Sequence, residues 1–182
     1  MREEMMAPES FETTRLILRK PTREDAALIF ETYGQDAEVT RYLMWRPHTS
    51  VRDAQAAVER FVKGSETGMF HWLIFLRDTG ELAGSIAVRK DANGAHLGYL
   101  VARSHWGRGL IGEAIAELVR WSFDDPSIFR VWAVCDVENR ASARVLERAG
   151  FLREGTLKKW SLHPNVSEVP RDCHCYAKTR AD

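Results

Sequence analysis

Three glycines spaced Gly107-x-Gly109-x-x-Gly112 stand just before an amphipathic run, in the stretch "HWGRGLIGEA" of residues 105–114. Glycine loses more backbone entropy on folding than any other residue, so such a cluster at a helix entrance needs a reason. Glycines there let backbone N–H groups converge on an anion, and the helix N-terminus adds unpaired donors and partial positive charge. The chemistry this points to is phosphate or pyrophosphate binding, without saying whose. Further on, Asn139 and Ser142 stand three apart at the start of a second helical run. Asn139 is a good N-cap, because its side-chain oxygen can accept a first-turn N–H. Cys173, His174 and Cys175 suggest a metal pair, but on a terminal strand their side chains alternate between faces, and the strand reading is preferred.

The elements that must position these residues follow from patterning. "RLILRKP" alternates as a strand does, and Thr22 with Asp25 forms a capping box for a helix running to about Tyr33. A short helical piece is expected around Val39–Leu43. A proline loop follows, and then a second capping box at Ser50 and Asp53. Val51, Ala54, Ala57, Val58, Phe61 and Val62 fall on one face of the helix it opens. "MFHWLIFLR", "LAGSIAVR" and "HLGYLVAR" are apolar runs separated by the tight-turn segments "DTGE" and "KDANGA", which predicts an antiparallel meander. After the glycines, Ile111, Ala114, Ile115, Leu118 and Ser122 share a helical face. "IFRVWAVCD" reads as a buried strand, "NRASARVLERAG" as a helix closed by Gly150, and "FLREGTLKKWSL" and "RDCHCYAKT" as late strands. Residues 1–12 read as a flexible lead-in and 13–182 as a single domain.

Composition narrows the function classes. Lys plus Arg and Asp plus Glu number 26 each, so no bulk charge marks the chain for nucleic acid or an anionic membrane. Three cysteines without framework spacing fit a reducing compartment. No segment approaches the roughly 18 apolar residues of a membrane span. The opening "MREEMMAPES" is too acidic and polar for a signal peptide, so the expectation is a cytoplasmic protein. The glycine spacing also fits a dinucleotide fingerprint, with Asp136 about where a ribose ligand is wanted. Against NAD stand the two hairpins that precede it, the intervening "RSHW", and the scarcity of chain after Gly112 for a doubly wound sheet. A P-loop fails because no Gly-Lys-Ser/Thr follows.

Together, "LGYLVARSHWGRGLIGEAIAELVRWSF" and "VCDVENRASARVLERAGFLREG" resemble the GNAT superfamily of acyl-coenzyme A-dependent N-acyltransferases, in the RimJ/RimL-type branch of ribosomal-protein N-terminal acetyltransferases. The resemblance covers nearly the whole chain. It implies an α+β fold whose mostly antiparallel central sheet, flanked by helices, splays between its fourth strand, "HLGYLVAR", and its fifth, "RVWAVCD". It further implies that the main chain of Leu100 and Val101 pairs with the pantetheine of acetyl-coenzyme A, as a strand edge takes an added strand. Gly107, Arg108, Gly109, Leu110, Ile111 and Gly112 would hold the pyrophosphate. Ile111 stands where the family usually has Gly or Ala, which puts the detailed loop shape in question. The matching Asn139 would contact the pantetheine, and Ser142 would lie near the thioester sulfur as proton donor to the departing thiolate.

The reaction so implied is direct attack of a primary amine on the acetyl thioester, with the carbonyl oxygen held by a backbone N–H such as that of Val101. An α-amine with pKa near 8 needs less help to lose its proton than a lysine near 10.4. A base contributes roughly 10²–10⁴-fold. His96 replaces a glutamate often discussed as base and titrates in a useful range, or else is structural. Glu154 matches a family glutamate that is either base or brace. Trp45, Arg46 and His48, in "RYLMWRPHTS", are substrate candidates, and an acidic peptide would suit Arg41 and Arg46. The acceptor is a protein N-terminus or a small-molecule amine. No metal, nucleic acid or membrane partner is expected, and a homodimer is compatible with the reading. Two alternatives stay open: a non-catalytic acyl-coenzyme A sensor on the same fold, and an NAD-dependent oxidoreductase.

Overall fold

The three apolar runs of the middle third pair as an antiparallel meander, and the rest of the chain is added to its two edges. The computed structural model describes residues 7–64 and 68–180. In chain order the elements are β1 (Ser10–Glu12), β2 (Leu16–Arg19), α1 (Ala26–Ile29), α2 (Ala37–Thr40), α3 (Val51–Gly64), β3 (Met69–Leu76), β4 (Leu82–Lys90), β5 (Gly94–Val101), α4 (Leu110–Asp124), β6 (Arg130–Asp136), α5 (Arg140–Arg148), β7 (Leu152–Ser161) and β8 (Arg171–Thr179). The strands form one sheet in the order β1-β2-β3-β4-β5-β6-β8-β7, antiparallel throughout except for β5 and β6. One parallel pair in such a sheet is not the doubly wound arrangement a dinucleotide fold requires.

Each face of the sheet carries its own core. On one face α4 and α5 cover Leu16, Leu18, Leu97, Val131 and Ala133, with Ile115 and Leu118 of α4 fully buried. Burying such a side chain contributes about 1.5–3 kcal/mol. Trp72, Trp121 and Phe11 pack edge to face in that core, with ring centroids 5.3–5.9 Å apart. On the other face the segment α1 to α3 buries Ile29, Tyr33, Ala54 and Val58 against Leu73, Phe75 and Leu82. The helical face expected of α3 holds except at Val62, which is exposed.

Several boundaries differ from the sequence reading. Of the expected lead-in, residues 1–6 lie outside the described residues, but Ser10–Glu12 pairs with β2, and Phe11 is buried against Trp72 and Trp121. That extra strand makes the splayed pair the fifth and sixth rather than the fourth and fifth. The Thr22–Asp25 capping box is present, and the helix it opens passes from a 3₁₀ turn through α1 into a wider π turn at Phe30–Gly34. The short helix begins earlier than expected because Asp36 caps it, accepting from the N–H groups of Glu38 and Val39. Gly84, on β4, sits so close to β5 that a Cβ there would collide with the Leu100 carbonyl oxygen. Among the described residues no helix is long and apolar enough to cross a membrane.

Candidate active site

Parallel pairing of β5 with β6 runs only from Gly94↔Arg130 to His96↔Trp132, and beyond it the strands part. The gap opens into a cleft of about 840 Å³, walled by the end of β5, the glycine loop and start of α4, the segment after β6 with α5, and α2 with the chain after it. Alternate strand residues send their N–H and C=O to opposite sides. Ala102 N–H bonds back to Ala83 O and Leu100 is registered with Ser85, so Leu100 directs its main chain to β4 and Val101 directs its own to the gap. The Val101 carbonyl accepts from Trp106 Nε1 at 2.8 Å, leaving its N–H for a ligand. Of the two residues expected to pair with the pantetheine, Val101 is the one so oriented; Tyr99, two residues earlier, shares that orientation.

The glycine loop forms the opposite wall. Gly107 and Gly109 have φ of 76° and 71°, left-handed conformations that favour glycine, and Gly109 is the N-cap of α4. Gly107, Gly109, Leu110 and Gly112 line the cleft, and a Cβ on Gly112 would meet nothing but open space. Ile111, the departure from the family pattern, lies on the first turn of α4, buried into the core at 6% exposure while bordering the cleft. Arg108 does not line the cleft; its guanidinium is engaged with His105 Nδ1 at 2.9 Å.

The posture of the loop is fixed by residues that sequence reasoning missed. Arg15, at the start of β2, donates to the carbonyls of Arg108 at 3.0 Å and Gly109 at 3.4 Å. Glu113, in the first turn of α4, holds Arg15 Nε at 2.7 Å, Arg15 N at 2.8 Å and the Thr13 hydroxyl at 2.5 Å. Partial burial opposes the Glu113 charge, but the Thr13 and Arg15 donors hold the carboxyl below the usual carboxylate range. A carboxylate in a first helical turn also suits the helix dipole.

Across the gap, Asn139 caps α5, accepting from Ser142 N at 3.1 Å. Ser142 Oγ lies 2.8 Å from the Tyr99 hydroxyl, with either atom able to donate. Burial pushes the Tyr99 pKa up, so its proton stays in place and the Ser142 hydroxyl is oriented by a neutral phenol. Cys135 closes the same corner, its thiol pushed up to about 11 by burial.

The remaining expected residues are not brought to this corner. His96 sits at the closed end of the gap, tilted against Trp132 with ring centroids 4.4 Å apart; burial, aided by Arg89, pushes its pKa down to about 4. Glu154 lies on β7, with two strands between it and β5, and pairs with Arg130 at 2.7 Å. Neither lines the cleft. Trp45, Arg46 and His48 also stand outside it. Trp45 packs on His48 with centroids 4.8 Å apart, and Asn165 Nδ2 ties the Trp45 carbonyl at 2.8 Å. The residues of that region that do reach the cleft are Arg41, Tyr42 and Leu43.

A sequence profile of the acetyltransferase (GNAT) domain matches residues 15–152. An uncharacterized N-acetyltransferase of Bacillus subtilis, YoaA, is 34% identical over 170 residues, covering 91% of this chain and 94% of its own. The [ribosomal protein uS5]-alanine N-acetyltransferase of Escherichia coli is 27% identical over 160 residues, covering 82% and 81%. Among solved structures, the ribosomal L7/L12 α-N-protein acetyltransferase RimL in complex with coenzyme A superposes with a TM-score of 0.82 at 23% identity, covering 94% of this chain and 98% of that one.

Proposed function

The chain belongs to the GNAT acetyltransferase family, and from that premise we propose that it transfers the acetyl group of acetyl-coenzyme A by direct attack of a protein N-terminal α-amine. That it is an acetyl-coenzyme A-dependent N-acetyltransferase follows from the family; the acceptor and the residue roles are our reading. One observation carries them. The open edge of Val101, the main-chain donors of the glycine loop and the Ser142–Tyr99 hydroxyl pair all face one cleft.

In this reading the N–H groups around Gly107–Gly112 bind the pyrophosphate, and the Val101 edge takes the pantetheine as an added strand. The thioester then lies at the corner held by Ser142. As the amine nitrogen bonds to the acetyl carbon and sheds a proton, the carbon–sulfur bond breaks and the Ser142 hydroxyl gives its proton to the departing sulfur, regaining one from water afterwards. A thiolate with pKa near 8.5 needs only modest help to leave. The Tyr99 hydroxyl keeps Ser142 turned toward the cleft.

Support for an α-amine acceptor comes from the relatives that act on ribosomal-protein N-termini. An α-amine is also less costly to deprotonate than a lysine side chain. A thiol-release assay with acetyl-coenzyme A tests both points, using peptides with varied N-termini beside lysine, polyamine and aminoglycoside amines. Release is expected with a subset of peptides. Tight acetyl-coenzyme A binding without release by any amine would make the protein an acyl-coenzyme A sensor instead.

A further inference from the structure

Beside the cleft, and sharing Tyr42, Leu43, Tyr99 and Ser142 with its walls, is a recess of about 80 Å³ closed by Asp136 and His163. His163 belongs to the connection between β7 and β8 and is 6% exposed, yet its Nδ1 has no hydrogen-bond partner. Leaving such a group unsatisfied costs about 1–3 kcal/mol, and in native proteins it asks for an explanation. The other ring nitrogen, Nε2, faces Asp136 Oδ2 at 3.8 Å and Cys173 Sγ at 3.7 Å. The Asp136 carboxylate is itself clamped by Arg171 at 2.5 and 3.1 Å, and Arg171 reaches Glu138 at 2.9 Å. Burial opposes the charge on Asp136, but Arg171 holds its carboxyl below the usual range, so it stays ionised beside the ring.

A carboxylate beside one imidazole nitrogen and an unpartnered second nitrogen, buried in a recess that shares Tyr99 and Ser142 with the cleft, make up an oriented base. The Nε2–Oδ2 contact is looser than a hydrogen bond, as catalytic pairs commonly are before substrate tightens them. The recess is held rigidly, because Asn165, two residues after His163, bonds the carbonyls of Thr40 and Trp45 at 2.7 and 2.8 Å. The groups facing the ring are Asp136 from β6, Arg171 and Cys173 from β8, and Tyr42 and Leu43 from the chain after α2. Tyr99 and Cys135 complete the recess. Burial pushes the imidazole below the ordinary histidine range; Asp136 and the main chain of Tyr42 and Leu43 pull the other way, and Arg171 adds to the depression. The ring is therefore neutral near pH 7, with partners ready to stabilise it once protonated.

We propose that His163 is the base of the reaction, accepting at Nδ1 the proton that the attacking amine must lose. The inference rests on the reading that the thioester lies at the Ser142 corner. The amine N–H electron pair stays on nitrogen as the N–C bond forms, the proton passes to His163, and the C–S pair leaves on sulfur to be protonated from Ser142. His163 then returns its proton to water and the Ser142 oxygen takes one back from water, so that in sum one proton has passed from the amine to the thiol.

The test compares wild type, His163→Gln, His163→Asn and His163→Ala in thiol release with acetyl-coenzyme A from pH 6 to about 9.5, a range that brackets the α-amine. The acceptors are N-terminal peptides, small alkylamines and hydroxylamine, which is largely neutral at pH 7. Acetyl-coenzyme A affinity and circular dichroism establish that each variant is folded. Expected is a loss of roughly 10²–10³-fold at pH 7 for amines that are protonated there. The residual rate should climb about tenfold per pH unit toward the amine pKa. The loss should be far smaller with hydroxylamine, and free imidazole should restore part of the rate to His163→Ala. A folded His163→Gln or His163→Asn with wild-type rate and pH profile overturns the proposal and leaves the transferase reading intact. If peptides fail but small amines react in a His163-dependent way, the N-terminal acceptor is overturned and the base assignment stands. If no amine reacts, both are overturned.

Discussion

In the proposed reading, the two sides of the cleft meet their ligands by different means. On the glycine-loop side the working groups are main-chain donors at the entrance of α4, kept in posture by Arg15 and Glu113 from behind. On the far side they are side chains: Ser142 and Tyr99 over the gap, and His163 against Asp136 in the recess. A main-chain site is written in a few consecutive residues, because the φ angles that expose N–H groups demand glycine there. A side-chain site is assembled from β5, β6, α5 and the connection before β8, and exists only once the sheet has formed. The first kind should fail as lost cofactor affinity and the second as lost turnover.

The largest effect is expected where both conformation and charge are violated. Gly109→Glu forces a non-glycine residue into the left-handed region, at a cost of roughly 1–2 kcal/mol. It also sets a carboxylate against the pyrophosphate, so acetyl-coenzyme A affinity by titration calorimetry should fall more than about 100-fold. Retained affinity would break the comparison at its first term. Ser142→Ala should lower kcat by about 10- to 100-fold while leaving the dissociation constant within about twofold. A matching loss of affinity would mean that this side also binds. Arg15→Ala touches no ligand, yet it should weaken acetyl-coenzyme A binding about 3- to 10-fold by releasing the loop carbonyls. Smallest are Glu154→Gln and His96→Gln, which should leave kcat within about twofold, since an exposed ion pair and a ring packed on Trp132 at the closed end both lie off the cleft. A large loss of kcat in either would return the base to the sheet.

The same division explains what the sequence made legible. The meander, the capping box at Thr22, the Asp53 half of the one at Ser50, and the glycines before α4 are local patterns, and the structure contains them. Asn139 and Ser142 were also readable, because a cap and its first turn are neighbours. His163 was not: it follows the strand "FLREGTLKKWSL" in a stretch with no pattern of its own, and only the pairing of β8 with β6 carries it to Asp136. Family matching pointed to His96 and Glu154 by position along strands, but position does not reveal that β5 and β6 are still joined at His96. Trp45 and His48 satisfied a compositional expectation for a substrate loop, and they turned out to pack on each other. Arg15 and Glu113 lie nearly a hundred residues apart, so no local pattern could have paired them.

Gly84 lies outside the cleft, yet it governs the shape of it. With no side chain between them, β4 and β5 approach closely, and a methyl group there would press the Leu100 carbonyl and the strand bearing Val101. Position 84 therefore acts as a spacer setting: enlarging it pushes one lip of the gap toward the other from behind, altering which acyl chains fit while every ligand-facing residue remains unchanged.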